Sequence, residues 1–472
     1  MEVKKMSMGK VLFAILFLAV SLYYTVVVAE GWVHVPLVLT TAVVCALAMH
    51  SGVKWQELED GMVDMISRTM AAVIFIVIIG MIVGIWIQAG IVPTLIYYGL
   101  KIISPKFFLV SALFTCSVVS VATGSSWTVI ATIGIALLGV GGGLGIPPAV
   151  TAGAIISGSY FGDKMSPLSE TTNLAPAVTG VSLFDHIRHM AYTTGTSYVI
   201  VAIIYTVMGL KYSTAEAGGA NFDALIATIG EKFNINLLLL VCPIIVVVLV
   251  MRKVPPLPSL FAGVIVGGIF AMVFQGASLT SLLNVAYDGY HSATGIEYVD
   301  SLLSKGGIRS MYYTIGMIIC AMMLGGALDK SGMLHTITAA LLRNAKSNGS
   351  LILATIATSI GVNVIAGDQY LAIVLPGRMY KEEYEKRGLH LKNLSRCLED
   401  AGTLTSVLIP WNTCGAYVSG VIGIHPFAYL PYAFLNLLNP IVSVIYGYLG
   451  ISIEKVTPDV PGKDSSEKKL TN

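Results

Sequence analysis

Charge is scarce in this chain. Only 11% of its 472 residues are Asp, Glu, Lys or Arg, against about 25% in soluble domains. So few charges cannot keep in water a chain that is 55% hydrophobic before its 48 glycines are counted. The charges also nearly cancel, at +2, which removes the basic surface that nucleic acid would need. Cysteine is thin as well. The six cysteines form no C-x-x-C and mostly sit inside apolar runs, which argues against a disulfide framework or a zinc site. Neither a G-X-Y nor a heptad period is present. An all-α polytopic membrane protein remains, with the lipid bilayer as its first partner.

A spanning helix takes about 20 mostly apolar residues. Runs of that kind cover Val11–Ala29, Trp32–Met49, Thr69–Gln88, Met190–Leu210, Asn234–Met251, Pro258–Phe274, Ser310–Leu328 and Phe427–Leu449. The first follows Lys4, Lys5 and Lys10 and reads as a retained span, being too long for a signal peptide and lacking a good cleavage site. Two further blocks are interrupted. Phe107–Ala122 and Trp127–Val140 are short arms meeting at Thr123-Gly124-Ser125-Ser126, the pattern of a re-entrant hairpin. Pro148–Thr179 then reads as a span broken at Gly162–Pro167. The order repeats later: Leu351–Ala366 and Gln369–Tyr380 meet at Gly367-Asp368, followed by Leu398–Gly423, broken near Pro410. Ten spans and two hairpins result.

Cytoplasmic loops retain Lys and Arg. With the N-terminus inside, 21 of the 28 Lys and Arg fall on inside segments and 6 outside, with Lys164 in a broken span. Both termini are therefore expected to be cytoplasmic, and the expected location is the cell (inner) membrane. The two halves also match. Arg68–Gly84 laid on Arg309–Gly325 gives six identities in 17 positions, and at an offset of 243 (367 − 124) Gly124 falls on Gly367 and Pro167 on Pro410. Five spans per repeat is odd, so the second repeat is expected to be inverted, as in many secondary transporters. The expected organisation is a first repeat at 1–211, an extracellular connection at 212–233, an inverted repeat at 234–450 and a polar cytoplasmic tail at 451–472.

Backbone that leaves the helix within a bilayer must be buried or line water, and ionisable residues there mark ion paths. The segment Ser157–Asn173 carries Ser157, Ser159, Asp163, Lys164, Ser166, Ser169, Glu170, Thr171, Thr172 and Asn173. Its carboxylates, hydroxyls and freed carbonyls suit a hard cation. Asp163, Glu170 and Asp368 are the candidate Na+ carriers. Asn363 and Gln369 flank Asp368; Asp400, Thr403, Asn412 and Thr413 lie in the second broken span. For Asp400 an N-cap at the membrane edge is the competing role, with Glu399 interfacial. The first tip, Thr123, Gly124, Ser125, Ser126 and Trp127, offers hydroxyls and helix N-terminal N–H groups that could also dock a substrate carboxylate. Elsewhere, His186 and His189 are expected at a solvated helix start, Tyr380–Arg396 as a cytoplasmic loop and Gly139–Gly145 as a close-packed turn. No nucleophile–base set, phosphate loop or cofactor motif suggests an enzyme.

The run Gly162-Asp-Lys-Met-Ser-Pro-Leu-Ser-Glu-Thr-Thr-Asn-Leu-Ala-Pro-Ala177 closely resembles the NhaC family of Na+/H+ antiporters, as do Gly124-Ser-Ser-Trp127 and Gly367-Asp-Gln-Tyr370. The resemblance spans nearly the whole chain. It implies the inverted repeats and re-entrant hairpins of the ion-transporter superfamily, and an elevator-like mechanism. Family motifs often have Asp where Glu170 stands here, which keeps the carboxylate on a longer arm. The family also includes exchangers of malate for Na+ and lactate, and amino-acid carriers. Two functions therefore stay open: Na+/H+ antiport, and Na+- or H+-coupled exchange of small organic anions or amino acids. Na+ and H+ are the only ions called for, with no other cofactor; a homodimer is compatible with the chain.

Overall fold

The computed structural model describes residues 6–212 and 220–456. It is helical throughout, and the described residues contain one isolated β-bridge, between Leu389 and Lys455. Helices α1 (Met8–Tyr23, continued by a π turn to Val28) and α2 (His34–His50) lead to α3 (Trp55–Gln88). The apolar stretch from Thr69 is thus the second half of one 34-residue helix, whose polar first half carries Glu57 to Arg68. Helix α4 (Ile91–Ile102) is an extra element; at 12 residues it is too short to register as a span. Helices α5 (Phe108–Thr123) and α6 (Ser126–Gly143) form the first hairpin, and α7 (Pro148–Met165) and α8 (Glu170–Thr179) the first broken segment. Then come α9 (Leu183–Tyr212), α10 (Ala220–Lys232), α11 (Leu237–Met251), α12 (Pro256–Gln275), α13 (Leu279–Asp288) and α14 (Glu297–Leu303).

After α15 (Tyr312–Lys330) and α16 (Met333–Arg343), helices α17 (Asn348–Ala366) and α18 (Gln369–Lys386) form the second hairpin. Helix α19 (Lys392–Leu398) runs through a π turn at Glu399–Thr403 into Leu404–Ser406, and α20 (Thr413–Ile422) completes the second broken segment. A bent pair, α21 (Pro426–Tyr432) and α22 (Phe434–Leu449), ends the bundle. Eight helices of the described residues are long and apolar enough to cross a membrane, or ten if each bent pair counts as one span.

The membership of that set differs from expectation. The arms of the first hairpin are not too short: Pro105–Thr123 has 19 residues and Ser126–Gly143 has 18. Thr123 and Ser126 are helical themselves, so the polar tip shortens neither arm. The two broken segments do not qualify, because their polar breaks divide them. Gly162 does not break α7, which continues to Met165; it lets α7 close on α5 at the Ser117 carbonyl. The break follows at Ser166–Ser169, around Pro167, which has no N–H to give. The Gly139–Gly145 run is helical to Gly143 and turns only at Leu144 and Gly145. The connection expected at 212–233 includes residues 213–219, which lie outside the described residues, and α10. The tail expected at 451–472 is described only to 456, where Val456 N–H bonds Gly388 O.

The hairpin tips share one backbone solution. Each arm ends on a left-handed glycine, Gly124 at φ 68° and Gly367 at φ 67°. Only glycine takes that conformation without steric cost. An extended N-cap follows each: Ser125 accepts from Thr128 N–H, and Asp368 from Leu371 N–H. The breaks correspond too, since Ser169 caps α8 and Asn412 caps α20. Ser169 and Asn412 are separated by the same 243 positions (412 − 169) as the tips.

Candidate functional site

Both tips and the start of both post-break helices open on one cavity of about 1050 Å³. It is lined by Thr123, Gly124, Ser125, Ser126 and Trp127 of the first tip and by Asp163, Ser169, Glu170 and Thr171 of the first break. The second half contributes Asp368, Gln369 and Thr413. All three candidate Na+ carriers therefore reach the same space, although they are spread over 205 positions (368 − 163).

Each acid is held differently. Asp163 is half-buried near the end of α7, and its Oδ2 accepts from Ser126 N–H at 3.1 Å and Ser126 Oγ at 2.6 Å. The N-terminus of α6 is thereby tied to α7, with a carboxylate facing the positive end of a helix. Glu170, exposed at the first turn of α8, accepts from the Tyr370 hydroxyl of the second hairpin. Asp368 is buried and spends Oδ1 on Leu371 N–H at 2.7 Å. Trp127 both packs and lines the site: it stacks on Tyr417 with ring centroids 3.9 Å apart and meets Phe75 edge-on at 6.0 Å. Tyr417 donates to the Trp127 carbonyl at 2.8 Å.

Other sequence-selected residues support the walls from behind. Ser166 Oγ donates to Val121 O, and Thr172 Oγ1 to Lys164 O at 3.0 Å. Asn173 Nδ2 donates to Pro167 O and Ser169 O, so it braces the break. Asn363 donates to Gly402 O and Thr405 Oγ1 and accepts from Asn412 Nδ2 at 3.0 Å. Thr413 N–H closes on Gly367 O. Ser157 bonds the Tyr205 hydroxyl, and the carbonyl of Ser159 accepts from Ser120 Oγ. Thr403 is buried in the π turn. Of the residues named here, only Pro167, Ser169 and Thr413 line the cavity.

Lys164 and Asp400 depart furthest from expectation. Lys164 follows Asp163 on α7 but points elsewhere, as adjacent helical residues do. It makes a fully buried ion pair with Asp400. Asp400 also accepts from Thr193 Oγ1 at 3.0 Å and Asn439 Nδ2 at 2.7 Å, with Arg396 Nε at 3.9 Å. Asp400 is thus no N-cap, and it does not face the cavity. Glu399 is fully buried within the protein, at the first position of the π turn. The run Tyr380–Arg396 is mostly helix, and Arg396 is fully buried beneath Ser452, whose carbonyl accepts from Nη1. His186 and His189 are not solvated. The start of α9 packs on α19, and they bond Ser395 Oγ at 2.8 Å and Asn393 Oδ1 at 3.2 Å.

Sequence reasoning missed Arg68, Lys253 and Phe75, which also line the cavity. Arg68 stood among the matches between the halves, which was its one signal. Tyr370 stood in a recognised motif without being assigned a role.

Among the described residues no group of three or more His, Cys, Asp or Glu could hold a metal ion. The cavity is lined by separate carboxylates and several hydroxyls.

The chain is similar to known transport proteins. The family profile described as the Na+/H+ antiporter family matches residues 158–451. The Na+/H+ antiporter NhaC of Alkalihalophilus pseudofirmus is 41% identical over 423 residues, covering 89% of this chain and 91% of that protein. The Na+/H+ antiporter NhaC of Bacillus subtilis is 36% identical, covering 88% and 92%. The malate-2H+/Na+-lactate antiporter of Bacillus subtilis is 37% identical over 439 residues, 92% of each.

Proposed function

The chain belongs to the Na+/H+ antiporter family, and from that premise we propose that its transport site is the cavity between the two hairpin tips. It is a transporter rather than an enzyme. The observation that carries the proposal is the convergence of Asp163, Glu170 and Asp368 on one space. A carboxylate flanked by hydroxyls can take Na+ or a proton, and a bound cation lowers its hold on the proton. One acid can thus exchange the two ions, with Asp163 as the principal carrier. The Ser126 bonds leave Asp163 anchored on one oxygen and open on the other side.

Two inverted repeats underlie this site in our reading. The matched glycine and N-cap conformations at a constant offset support that arrangement. The hairpins and broken segments form the moving part of an elevator, sliding against α2, α3, α12 and α15. Support comes from packing: α3 runs along α12 and α15, while α5 packs on α7 and α17 on α22. Arg68 and Lys253 line the cavity and are exposed, on segments that the charge bias assigns to the cytoplasm. The cavity therefore faces inward, and both termini are cytoplasmic.

One observation favours exchange of an organic anion. About 1050 Å³ far exceeds what a single ion requires, since a water takes about 30 Å³, and Arg68 and Lys253 add positive charge. Proteoliposome flux separates the readings. A Na+ gradient alone should drive proton movement. Flux only when malate, lactate or an amino acid is supplied would overturn Na+/H+ antiport in favour of the second reading.

A further inference from the structure

A second cavity, of about 480 Å³, opens beside the loops that precede α15, with Asp288 and Lys305 in its wall. The charge bias assigns those loops to the outside. Two helices run from the main cavity to this one. Helix α3 lines the first as far as Phe75 and the second at Val83. Those residues are 8 positions apart (83 − 75), or about 12 Å at 1.5 Å per residue. Helix α20 lines the first at Thr413 and the second at Ser419 and Gly420. It packs on α3 and on α15. Helix α15 runs alongside: Thr314 and Met317 line the second cavity, and Ala321 lies 3.4 Å from where a Cβ on Gly367 of the second tip would stand.

Three aromatic rings stand between the cavities. Phe75 and Trp127 line the main one, and Tyr417, fully buried, sits on α20 between Thr413 and Ser419. Trp127 stacks on Tyr417, and Phe75 meets both edge-on, at 6.0 and 6.4 Å. Beyond Phe75, Ile76, Ile79 and Ile82 of α3 are fully buried and extend the closure. The rings come from three elements. In the sliding arrangement above, Phe75 on α3 is fixed, while Trp127 of the first tip and Tyr417 of α20 move. The second cavity is itself built from both parts. Its wall is polar, with Asp288, which pairs with Arg309, and the hydroxyls of Ser310, Thr314 and Ser419. Lys305 Nζ donates to Ile422 O at 3.3 Å and so ties the fixed loop to the end of α20.

We propose that the second cavity is the outer half of the transport path, entered by a small hydrated cation, and that Phe75, Trp127 and Tyr417 are the barrier between the halves. The proposal rests on the antiporter reading above. Asp163 is bonded to Ser126, next to Trp127, so the ion site and two of the three rings travel as one piece. When that piece slides along α3 it passes Phe75, and the site comes to open beside Val83 and Ser310 instead. The spacing of Phe75 and Val83 sets the travel at about 12 Å. The bond from Lys305 to Ile422 O holds the present state and breaks as α20 moves. Bulk at Phe75 keeps the two halves from joining into one open pore.

The test uses the full chain in proteoliposomes, with Na+ as the transported probe and a membrane-impermeant thiol reagent applied from the outer side. The wild type, with its six cysteines, gives the labelling background. Ser419→Cys should be labelled from outside, and Na+-driven proton flux measured before and after labelling should be lost. Should Ser419→Cys lack flux of its own, Ser310→Cys at the same cavity is read in the same way. Phe75→Ala should let Na+ run down its gradient without the matching proton movement, whereas Phe75→Leu, which keeps most of the bulk, should stay coupled. Should Phe75→Ala fail to fold, Phe75→Val is read for the same leak. Labelling that leaves flux intact, or no labelling from outside, would overturn the outer path. Full coupling in Phe75→Ala, or in Phe75→Val where that variant is used, would overturn the barrier. Either result leaves the antiporter reading in place. A wild type without Na+-driven proton flux would refute the antiporter reading, and this proposal with it.

Discussion

The two hairpin-and-break units solve the same backbone problem with different chemistry. Both tips use a left-handed glycine and a capping side chain, and both post-break helices begin on a capped residue. In the first unit the cap is Ser125, which leaves the acid to Asp163 on the broken segment. In the second the cap is the acid itself, Asp368, and the break is fastened by Asn412 to Asn363. The first break presents Ser169, Glu170 and Thr171 to the cavity, whereas the second presents only Thr413. One backbone geometry thus leaves the first break lining the cavity and fastens the second behind it, while both tips reach the cavity.

The largest stability effect should appear in the support. Asp400→Asn leaves Lys164 and Arg396 buried without their carboxylate. Losing one member of a buried ion pair costs about 3–5 kcal/mol, readable as a lower melting temperature in detergent. If Asp400→Asn melts normally while Asp163→Asn unfolds, the division between wall and support is reversed. The glycines come next. Gly124→Ala and Gly367→Ala should each cost at least about 1–2 kcal/mol, because an L-residue is strained in the left-handed region. Gly124→Ala should cost more, since a Cβ there would meet the Leu168 backbone at 2.7 Å, whereas at Gly367 the nearest atom, Trp411 O, lies at 3.0 Å. Equal losses would show that the closer packing of the first tip does not matter. A smaller difference separates the caps. Asn412→Ala removes a cap and the bond to Asn363, and should cost about 1–2 kcal/mol. Ser125→Ala should cost about 1 kcal/mol. Equal values would mean that the Asn363 bond adds nothing.

The smallest effect lies outside both units, in the loop that precedes α15. The amides of Thr294 and Gly295 and the hydroxyls of Thr294 and Ser292 surround the Asp300 carboxylate and hold it down to about 2. A depressed folded value stabilises the loop above the unfolded value of about 3.9. That contribution is lost as pH falls through about 2. Hydrogen-exchange protection at residues 292–304, relative to the unstructured rate at each pH, should therefore be unchanged from pH 7 to 5 and lower in Asp300→Asn over that range. Unaltered exchange in the variant would show that the loop does not depend on this carboxylate.

Tips, breaks and their acids were legible in the sequence because each interrupts an apolar run with Gly, Pro or a capping side chain. Thr123–Trp127, Ser166–Glu170 and Gly367–Gln369 all announce themselves in this way. The support was not legible. Lys164 and Asp400 are 236 positions apart, and no local pattern pairs them. Arg396, His186 and His189 looked solvated because they stand beside charged residues. The packing of α9 on α19, with Ser452 over Arg396, buries them. The burial of Glu399 was hidden for a related reason, since the π turn it begins has no composition signal of its own.

The central claim is that Asp163 carries the exchanged ions and is not a structural partner of Lys164. Na+-driven proton flux in proteoliposomes, measured on Asp163→Asn beside its melting temperature, tests this most directly. Asn can accept the Ser126 bonds but can neither release a proton nor offer Na+ a full charge. The account predicts abolished flux with near-normal melting. Retained flux would contradict it and move the carrier to Glu170 or Asp368.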